Sequence, residues 1–208
     1  MKTSIRACSV TLREILRQAL AADADLGALF DPGLGGTMVV GLDTPQEFAD
    51  NSLEGVSLWL YRLQRDDLTL NQPRPRRSFD RFEQRPLPLR LHYLVAPIVD
   101  RSTRPRAAEL EQHILGKVLQ VLNDIGSLSG GQLRDDLAGE PLELFVRLEP
   151  LTLEETTRVW DALELSYQLC VSYEVSVVPI ASAMPSQRYG VVDSATTEHG
   201  VAQILETP

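Results

Sequence analysis

The chain has 208 residues, of which 43% are hydrophobic and 24% are charged, and its formal net charge at pH 7 is −9. This composition is typical of a globular protein with a packed core, and the acidic charge argues against nucleic acid as a default partner. No apolar run is long enough for a signal peptide or a membrane span, so we expect a chain that is made in the cytoplasm and does not insert directly into a membrane.

The first part of the chain alternates between helical and extended patterns. Cys8, Leu12 and Leu16 share one face of an amphipathic pattern, which predicts a helix. Residues 55–63, GVSLWLYRL, are apolar on both faces, as in a strand that is covered on both sides. In chain order the predicted elements are a helix over 3–22, a short strand over 37–42, a loop or single helical turn over 44–52, and the strand over 55–63.

An arginine-rich and proline-rich segment follows over residues 64–86. Pro73, Pro75 and Pro86 exclude a regular helix and the interior of a sheet, so an extended loop is predicted. Residues 87–99 then resume as a strand. The two strands that flank this loop are therefore expected to form a long hairpin with the arginines at its tip.

The charge of this region is opposite to that of the rest of the chain. Residues 62–106 hold eleven arginines and five acidic residues, a local charge of +6, which leaves −15 elsewhere. Arginine makes two-pronged contacts with carboxylates, and arginine and phenylalanine are both enriched at protein interfaces. The candidate interface residues are Arg74, Arg76, Arg77, Phe79, Arg81, Phe82 and Arg85. The phenylalanines are also suited to stack on bases, but the acidic net charge favours a protein partner.

The second half of the chain predicts two further helices and two strands. Ser102 and Thr103 are possible caps of one helix, and Thr152 with Glu155 has the spacing of a capping box for the other. The elements are a helix over 102–124, a polar connector over 127–139, a strand over 140–150, a helix from 152, and a strand over 167–180. We therefore predict an α/β (α+β) domain over residues 1–180, with a mixed, mainly antiparallel sheet and about three helices. Residues 181–208 are expected to be a C-terminal arm or tail.

Signals of catalysis are weak. The Gly-rich stretch 33–36 lacks the spacing of a phosphate-binding loop, and the three histidines show no metal-ligand spacing. Acid pairs such as Asp66–Asp67 and Asp135–Asp136 lie in polar segments, where carboxylates are usually solvated. Cys8 and Cys170 are expected to be reduced core thiols. We accordingly expect no enzyme, no cofactor, no metal and no small-molecule substrate.

Three stretches in this order resemble a known family. They are VSLWLYRLQRDDLTLNQPRPRR, then PLPLRLHYLVAPI leading into EQHILGKVLQVLND, then LEPLTLEETTRVWDALELSYQLCVSYEVSVVPI. Over about residues 3–180 they resemble the cap, or tail-terminator, proteins of phage-tail-like contractile injection systems of the antifeeding-prophage and Photorhabdus-virulence-cassette type. The third stretch is the most specific of the three.

The resemblance implies a structural role. Members of this family form a six-fold ring that closes the tail end distal to the baseplate and contacts the last layers of inner tube and sheath. It therefore implies a homohexamer with tube and sheath proteins as partners, in a particle that is cytoplasmic or released. The alternative is a generic adaptor that binds an acidic protein through the arginine loop, and nucleic-acid binding ranks below both.

Overall fold

The computed structural model describes residues 2–69, 76–78, 81–82, 84–185 and 187–188, and of residues 76–78, 81–82, 177 and 187–188 it describes the backbone. The chain divides into two compact units. The first unit comprises residues 1–72 and 86–181, and the second comprises residues 73–85 and 182–208. A six-stranded sheet lies in the first unit and a three-stranded sheet of short strands in the second.

Within the described residues there are five α-helices and nine strands. The helices are α1 Ser4–Ala21, α2 Gly27–Phe30, α3 Pro45–Asp50, α4 Ala107–Ile125 and α5 Leu153–Ala162. The strands are β1 Val39–Gly41, β2 Gly55–Arg65, β3 Arg76–Ser78, β4 Arg81–Phe82, β5 Leu87–Ile98, β6 Ser127–Ser129, β7 Glu143–Glu149, β8 Val171–Ile180 and β9 Gln187–Arg188. None of the helices in these ranges is long and apolar enough to cross a membrane.

The large sheet has the strand order β1-β2-β5-β8-β7-β6. β1 and β2 run parallel, and every other neighbouring pair in this sheet is antiparallel. The pairing of β2 with β5 extends from Gly55 opposite Ile98 to Arg65 opposite Leu89. The predicted α/β class, the mainly antiparallel sheet and the long hairpin are thus confirmed.

One face of the large sheet carries the main core. Leu91, Tyr93 and Val95 of β5 are completely buried there. They belong to one apolar cluster with residues of α1 and α4, because both long helices present an apolar stripe to this face. The cluster members from α1 and α4 are Ala7, Cys8, Leu12, Leu16, Leu20, Ala107, Ile114, Val118 and Leu122.

The opposite face is covered by the two shorter helices. Phe48 of α3 and Trp160 of α5 form a second apolar cluster with Leu94 and Ala96 of β5. The indole N–H of Trp160 donates a hydrogen bond to the sulfur of Cys170 at 3.3 Å. A strand that is buried on both faces has apolar side chains at nearly every position. This explains why the sequence of β5 is largely apolar without strict alternation.

The two cysteines are free thiols, as predicted. Cys8 belongs to the cluster of α1 and α4, whereas Cys170 packs against the cluster that contains Trp160. Burial raises the pKa of Cys8 to about 12. The thiolate of Cys8 is therefore not populated near neutral pH, and this residue acts as an apolar core side chain.

Two helix starts differ from the prediction. Residues 45–50 form a helix where a loop or single turn was expected, since Thr44 and Glu47 make a capping box with bonds of 2.8 and 3.1 Å. The fourth helix begins at Ala107 and not at Ser102 or Thr103. Both of these hydroxyls instead donate to the carboxylate of Asp100, at 2.7 and 3.1 Å, and hold a turn before the helix.

Strict alternation of faces also fails at two places in the sheet. On β8, residues 176–177 face a single β5 residue, so Val175 and Val178 are both buried although they are three positions apart. On β2 a similar irregularity lies between Leu60 and Arg62, and Leu63 is 51% exposed although a covered strand was expected. The polar connector contains β6, and it buries Leu128, Leu133 and Leu137.

The placement of Trp160 yields a stability prediction. Its side chain is 1% exposed, so Trp160→Ala should lower the free energy of unfolding by about 3–5 kcal/mol, the usual range for truncation of a large buried aromatic. Denaturant unfolding followed by circular dichroism measures this. The control is Leu153→Ala in the exposed first turn of the same helix, which should change stability by less than about 0.5 kcal/mol. Equal effects of the two changes would contradict the assigned packing.

The boundary predicted at residue 180 yields a second test. The first compact unit ends at Ala181, so a chain truncated after Ile180 should retain the large sheet and a cooperative unfolding transition. The change should instead remove β9 and with it the pairing of β9 with β4. Purification and thermal unfolding of the truncated chain measure the outcome, and an insoluble or unfolded product would show that residues 181–208 are part of the fold.

Candidate functional site

The backbone of the second unit brings several of the predicted interface residues together. β3 pairs antiparallel with β4, with Arg76 opposite Phe82, and Arg77 lies between the paired positions of β3. Arg85 is exposed. Arg74 and Phe79 lie outside the described residues. Four of the seven candidates, Arg76, Arg77, Arg81 and Phe82, therefore stand on two neighbouring strands.

The C-terminal segment contributes a strand that the sequence did not predict. β9 pairs with β4, with Arg188 opposite Arg81 and Gln187 opposite Phe82. A further arginine thus stands beside the predicted set. The only signal in the sequence was the isolated Gln-Arg pair in an otherwise weakly patterned tail, and two residues are too short for a strand pattern.

An ion pair with a buried carboxylate lies at the loop end of the hairpin, where β2 ends and β5 begins. The carboxylate of Asp66 accepts hydrogen bonds from Nε and Nη2 of Arg90, at 3.0 and 2.8 Å, and from the hydroxyl of Thr69 at 3.0 Å. Nη1 of Arg90 lies 3.4 Å from Glu174. Burial alone would raise the pKa of Asp66, but the hydrogen bonds from Arg90 and Thr69 outweigh it and lower the pKa. The turn that leads into the arginine-rich segment is therefore fixed by charge.

Much of the local arginine surplus is paired within the chain. Arg104 holds Glu54 with Nε at 2.9 Å and Nη2 at 2.8 Å. This bond lowers the pKa of Glu54, while burial of the carboxylate opposes the shift. The arginines paired in this way are Arg65, Arg90, Arg101, Arg104 and Arg106. Three of the five acidic partners, Glu54, Glu109 and Glu111, lie outside residues 62–106, so the acidic remainder of the chain neutralises part of the positive charge.

A polar cluster is buried between β2, β5, β7 and β8. Nδ1 of His92 lies 3.0 Å from both oxygens of Glu149, and Nε2 lies 3.1 Å from the side-chain oxygen of Gln64. The hydroxyls of Ser172 and Tyr61 donate to Glu149 at 2.7 and 3.2 Å. The sequence pattern places His92 in a strand but gives no sign of these partners, because they lie on other strands that are distant in the chain.

This cluster has the composition of a catalytic triad but not its geometry. The carboxylate of Glu149 is the centre that accepts the hydrogen bonds, and Ser172 contacts the carboxylate rather than the imidazole of His92. A serine nucleophile requires a base that accepts its proton, with a third group orienting that base. The arrangement instead satisfies polar groups that the sheet buries, which is the requirement for a stable core.

A group of possible metal ligands lies near the end of α1. Ligand atoms of Asp23, Asp25 and His113 lie within 4.8 Å of one another. Asp23, however, pairs with the ammonium group of Lys117 at 3.1 Å and accepts the N–H groups of Asp25 and Leu26. The cation of this group is therefore a lysine of the same chain, and we assign no metal to it.

The Glu149 cluster predicts part of the acid sensitivity of the fold. Burial acts to raise the pKa of Glu149, whereas hydrogen bonds from His92 and Ser172 act to lower it. The hydrogen bonds have the larger combined effect, so the pKa of Glu149 lies below its ordinary value of 4.5. A group with a lowered pKa stabilises the fold above its ordinary pKa, and this stabilisation is lost as the pH falls. Glu149→Gln should cost about 1–3 kcal/mol at pH 7 and reduce the loss of stability below about pH 4.5.

Urea unfolding between pH 3 and pH 7 measures this effect. The control is Glu154→Gln, because Glu154 pairs with Arg158 at 2.7 Å on the exposed surface of α5. The control should follow the wild type at every pH. An acid dependence that is the same in Glu149→Gln and in the wild type would contradict the role of this carboxylate.

Comparisons with solved structures give two relatives of this fold. The chain is similar to the PVC sheath/tube terminator of an extracellular contractile injection system in its extended state, with a TM-score of 0.58 and 21% identity. It is also similar to the anti-feeding prophage cap, a tube terminating cap, with a TM-score of 0.55 and 18% identity. The matches cover 98% and 93% of this chain, which spans 64% and 59% of the length of those chains. No curated protein sequence matches the chain.

The family comparison agrees with the structural one. The model of the Pvc16 N-terminal domain matches residues 7–194. This range contains the three stretches from which the resemblance to cap proteins was inferred, and it extends to the strands β3, β4 and β9. The resemblance is therefore confirmed, and the chain belongs to the Pvc16 N-terminal domain family.

Proposed function

We propose that this chain is a structural cap subunit that terminates the tube and sheath of a contractile injection system. The observation that carries the proposal is the shared fold: nearly the whole chain is similar to two proteins described as terminators, and the family model matches most of it. The His92–Glu149 cluster supports a structural role, because its hydrogen bonds stabilise the sheet and leave no paired nucleophile and base.

The proposed assembly is a ring of six copies that contacts the last layer of inner tube and the last layer of sheath. Subunits of a closed ring meet through two different surfaces, one on each side, so each copy needs complementary patches. The chain carries an arginine-rich segment on a body of net negative charge, which suits this requirement. We place its synthesis in the cytoplasm and its function in the assembled particle, without nucleic acid or a small-molecule substrate.

The arginine-rich segment is the proposed contact surface. Its members Arg74, Arg76 and Arg77 belong by residue number to the second unit, and the large sheet belongs to the first. Single exposed ion pairs contribute only about 0.5–1 kcal/mol each, but a ring repeats each of them at every interface. The contacts should weaken as the salt concentration rises, because dissolved ions screen exposed charges.

Reversal of these charges tests the proposed function. Replacement of Arg74, Arg76 and Arg77 by Glu should leave the large sheet folded and abolish capping, so that tails have uncontrolled length or unstable sheath ends. Electron microscopy of particles from cells that produce the variant measures tail length and end structure.

A second triple variant controls for net charge. Replacement of Arg6, Arg106 and Arg158 by Glu makes the same change in charge at exposed positions of the first unit, and it should retain capped tails of normal length. Normal, capped tails in the arginine-segment variant would show that these arginines are only solvated. If the tails of both variants are uncapped, the loss of capping is caused by the change in net charge and not by the position of these arginines.

A further inference from the structure

A pocket of about 530 Å³ opens at one end of the β2–β5 hairpin. Its lining contains apolar side chains from in and after α3 and from the end of β5, together with three carboxylates and the side chain of Arg101. The apolar members include Leu53, Ile98 and Val99, and the carboxylates are Glu54, Asp100 and Glu111. A surface of this kind matches a side chain with an apolar stem and a cationic head.

Glu111 is the distinctive member of this lining. Its side chain is 8% exposed, and the bond it makes to Nη2 of Arg101, at 3.0 Å, comes from a side chain that is 67% exposed. Glu54, in contrast, is held by two nitrogens of Arg104. Burial of a carboxylate away from water costs free energy unless the carboxylate has a close partner. An exposed arginine is a weak partner, because it loses side-chain entropy when it is held in one position. A guanidinium group that enters the pocket would pair with Glu111 away from water.

The position of the pocket bears on the source of that guanidinium. Gly55 pairs with Ile98 at the pocket end of the hairpin, whereas Arg65 pairs with Leu89 at the end from which the arginine-rich segment departs. β2 is 11 residues long, so the two ends are roughly 35 Å apart. A subunit with a cationic segment leaving one end and an acidic pocket at the other has the two unlike surfaces of a head-to-tail contact.

We propose that this pocket binds an arginine side chain from residues 73–85 of a second copy of the chain, and that the incoming guanidinium replaces Arg101 as the partner of Glu111. The inference rests on the proposed function, because it identifies where the arginine segment docks in a ring. Arginine fits better than lysine here, since its planar fork can contact two carboxylates at once.

A labelled peptide of residues 73–85 tests the pocket directly. The receptor is the full chain with Arg74, Arg76, Arg77, Arg81 and Arg85 replaced by Ala, so that its own segment neither competes for the pocket nor attracts the peptide. Fluorescence anisotropy at low salt should show binding. Glu111→Gln in this receptor should weaken binding at least about tenfold, because a nearly buried charged partner is lost. Glu109→Gln, an exposed control on the same helix, should have no effect.

Arg101→Ala tests whether Glu111 binds the incoming arginine or only forms a structural ion pair with Arg101. If Arg101 competes with the peptide for Glu111, its removal should tighten binding several-fold, and this gain should disappear in the Glu111→Gln receptor. A peptide with lysine at every arginine position should bind more weakly than the native one.

Three results would overturn the inference: no binding of the peptide, equal binding by the Glu111→Gln receptor, or a gain from Arg101→Ala that persists without Glu111. Each of these could occur while the charge-reversed arginine segment still abolishes capping in particles. In that case the cap function stands and the segment docks on another surface. Normal, capped tails in the charge-reversed variant would instead remove the arginine segment as a contact surface, and with it the source of the guanidinium.

Discussion

The fold depends on one strand, β5, that is paired on both sides and buried on both faces. It pairs with β2 on one side and β8 on the other over most of its length. Leu91, Tyr93 and Val95 face the long helices, while Leu94 and Ala96 face the short ones. A central strand of this kind requires a layer of helices on each side, since either face alone would expose apolar surface to water.

The same constraint explains the polar clusters. His92 is buried and Arg90 is partly buried on β5, where polar side chains need partners from the neighbouring strands. His92 is satisfied by Glu149 and Gln64, and Arg90 by Asp66 and Glu174. These bonds link β2, β7 and β8 to the central strand. These contacts match the strand register that the apolar pattern of β5 specifies.

The sequence predicted what depends on local pattern. The two long helices, the capping box of α5 and the β2–β5 hairpin follow from periodicity and from short-range signals. It did not predict the bulge on β8, the parallel pairing of β1 with β2, or the short strands β6 and β9, since these depend on partners distant in the chain.

For the arginine-rich segment, the sequence predicted the concentration of charge but not the partners of the arginines. The concentration of arginine was visible as composition, but Arg104 pairs with Glu54, fifty positions away, and Arg90 pairs with Glu174. A count of charges along the sequence therefore overstated the positive charge that residues 62–106 present. Pairing between distant segments is set by the fold, and a sequence window does not contain it.

The proposed function requires that this chain lies at one end of a tube. The most direct measurement is electron microscopy of assembled particles in which the chain carries an affinity tag that is marked with gold. We expect gold at one end of each particle, with none along the shaft. Gold distributed along the particles, or intact particles of normal length that carry no gold, would contradict it.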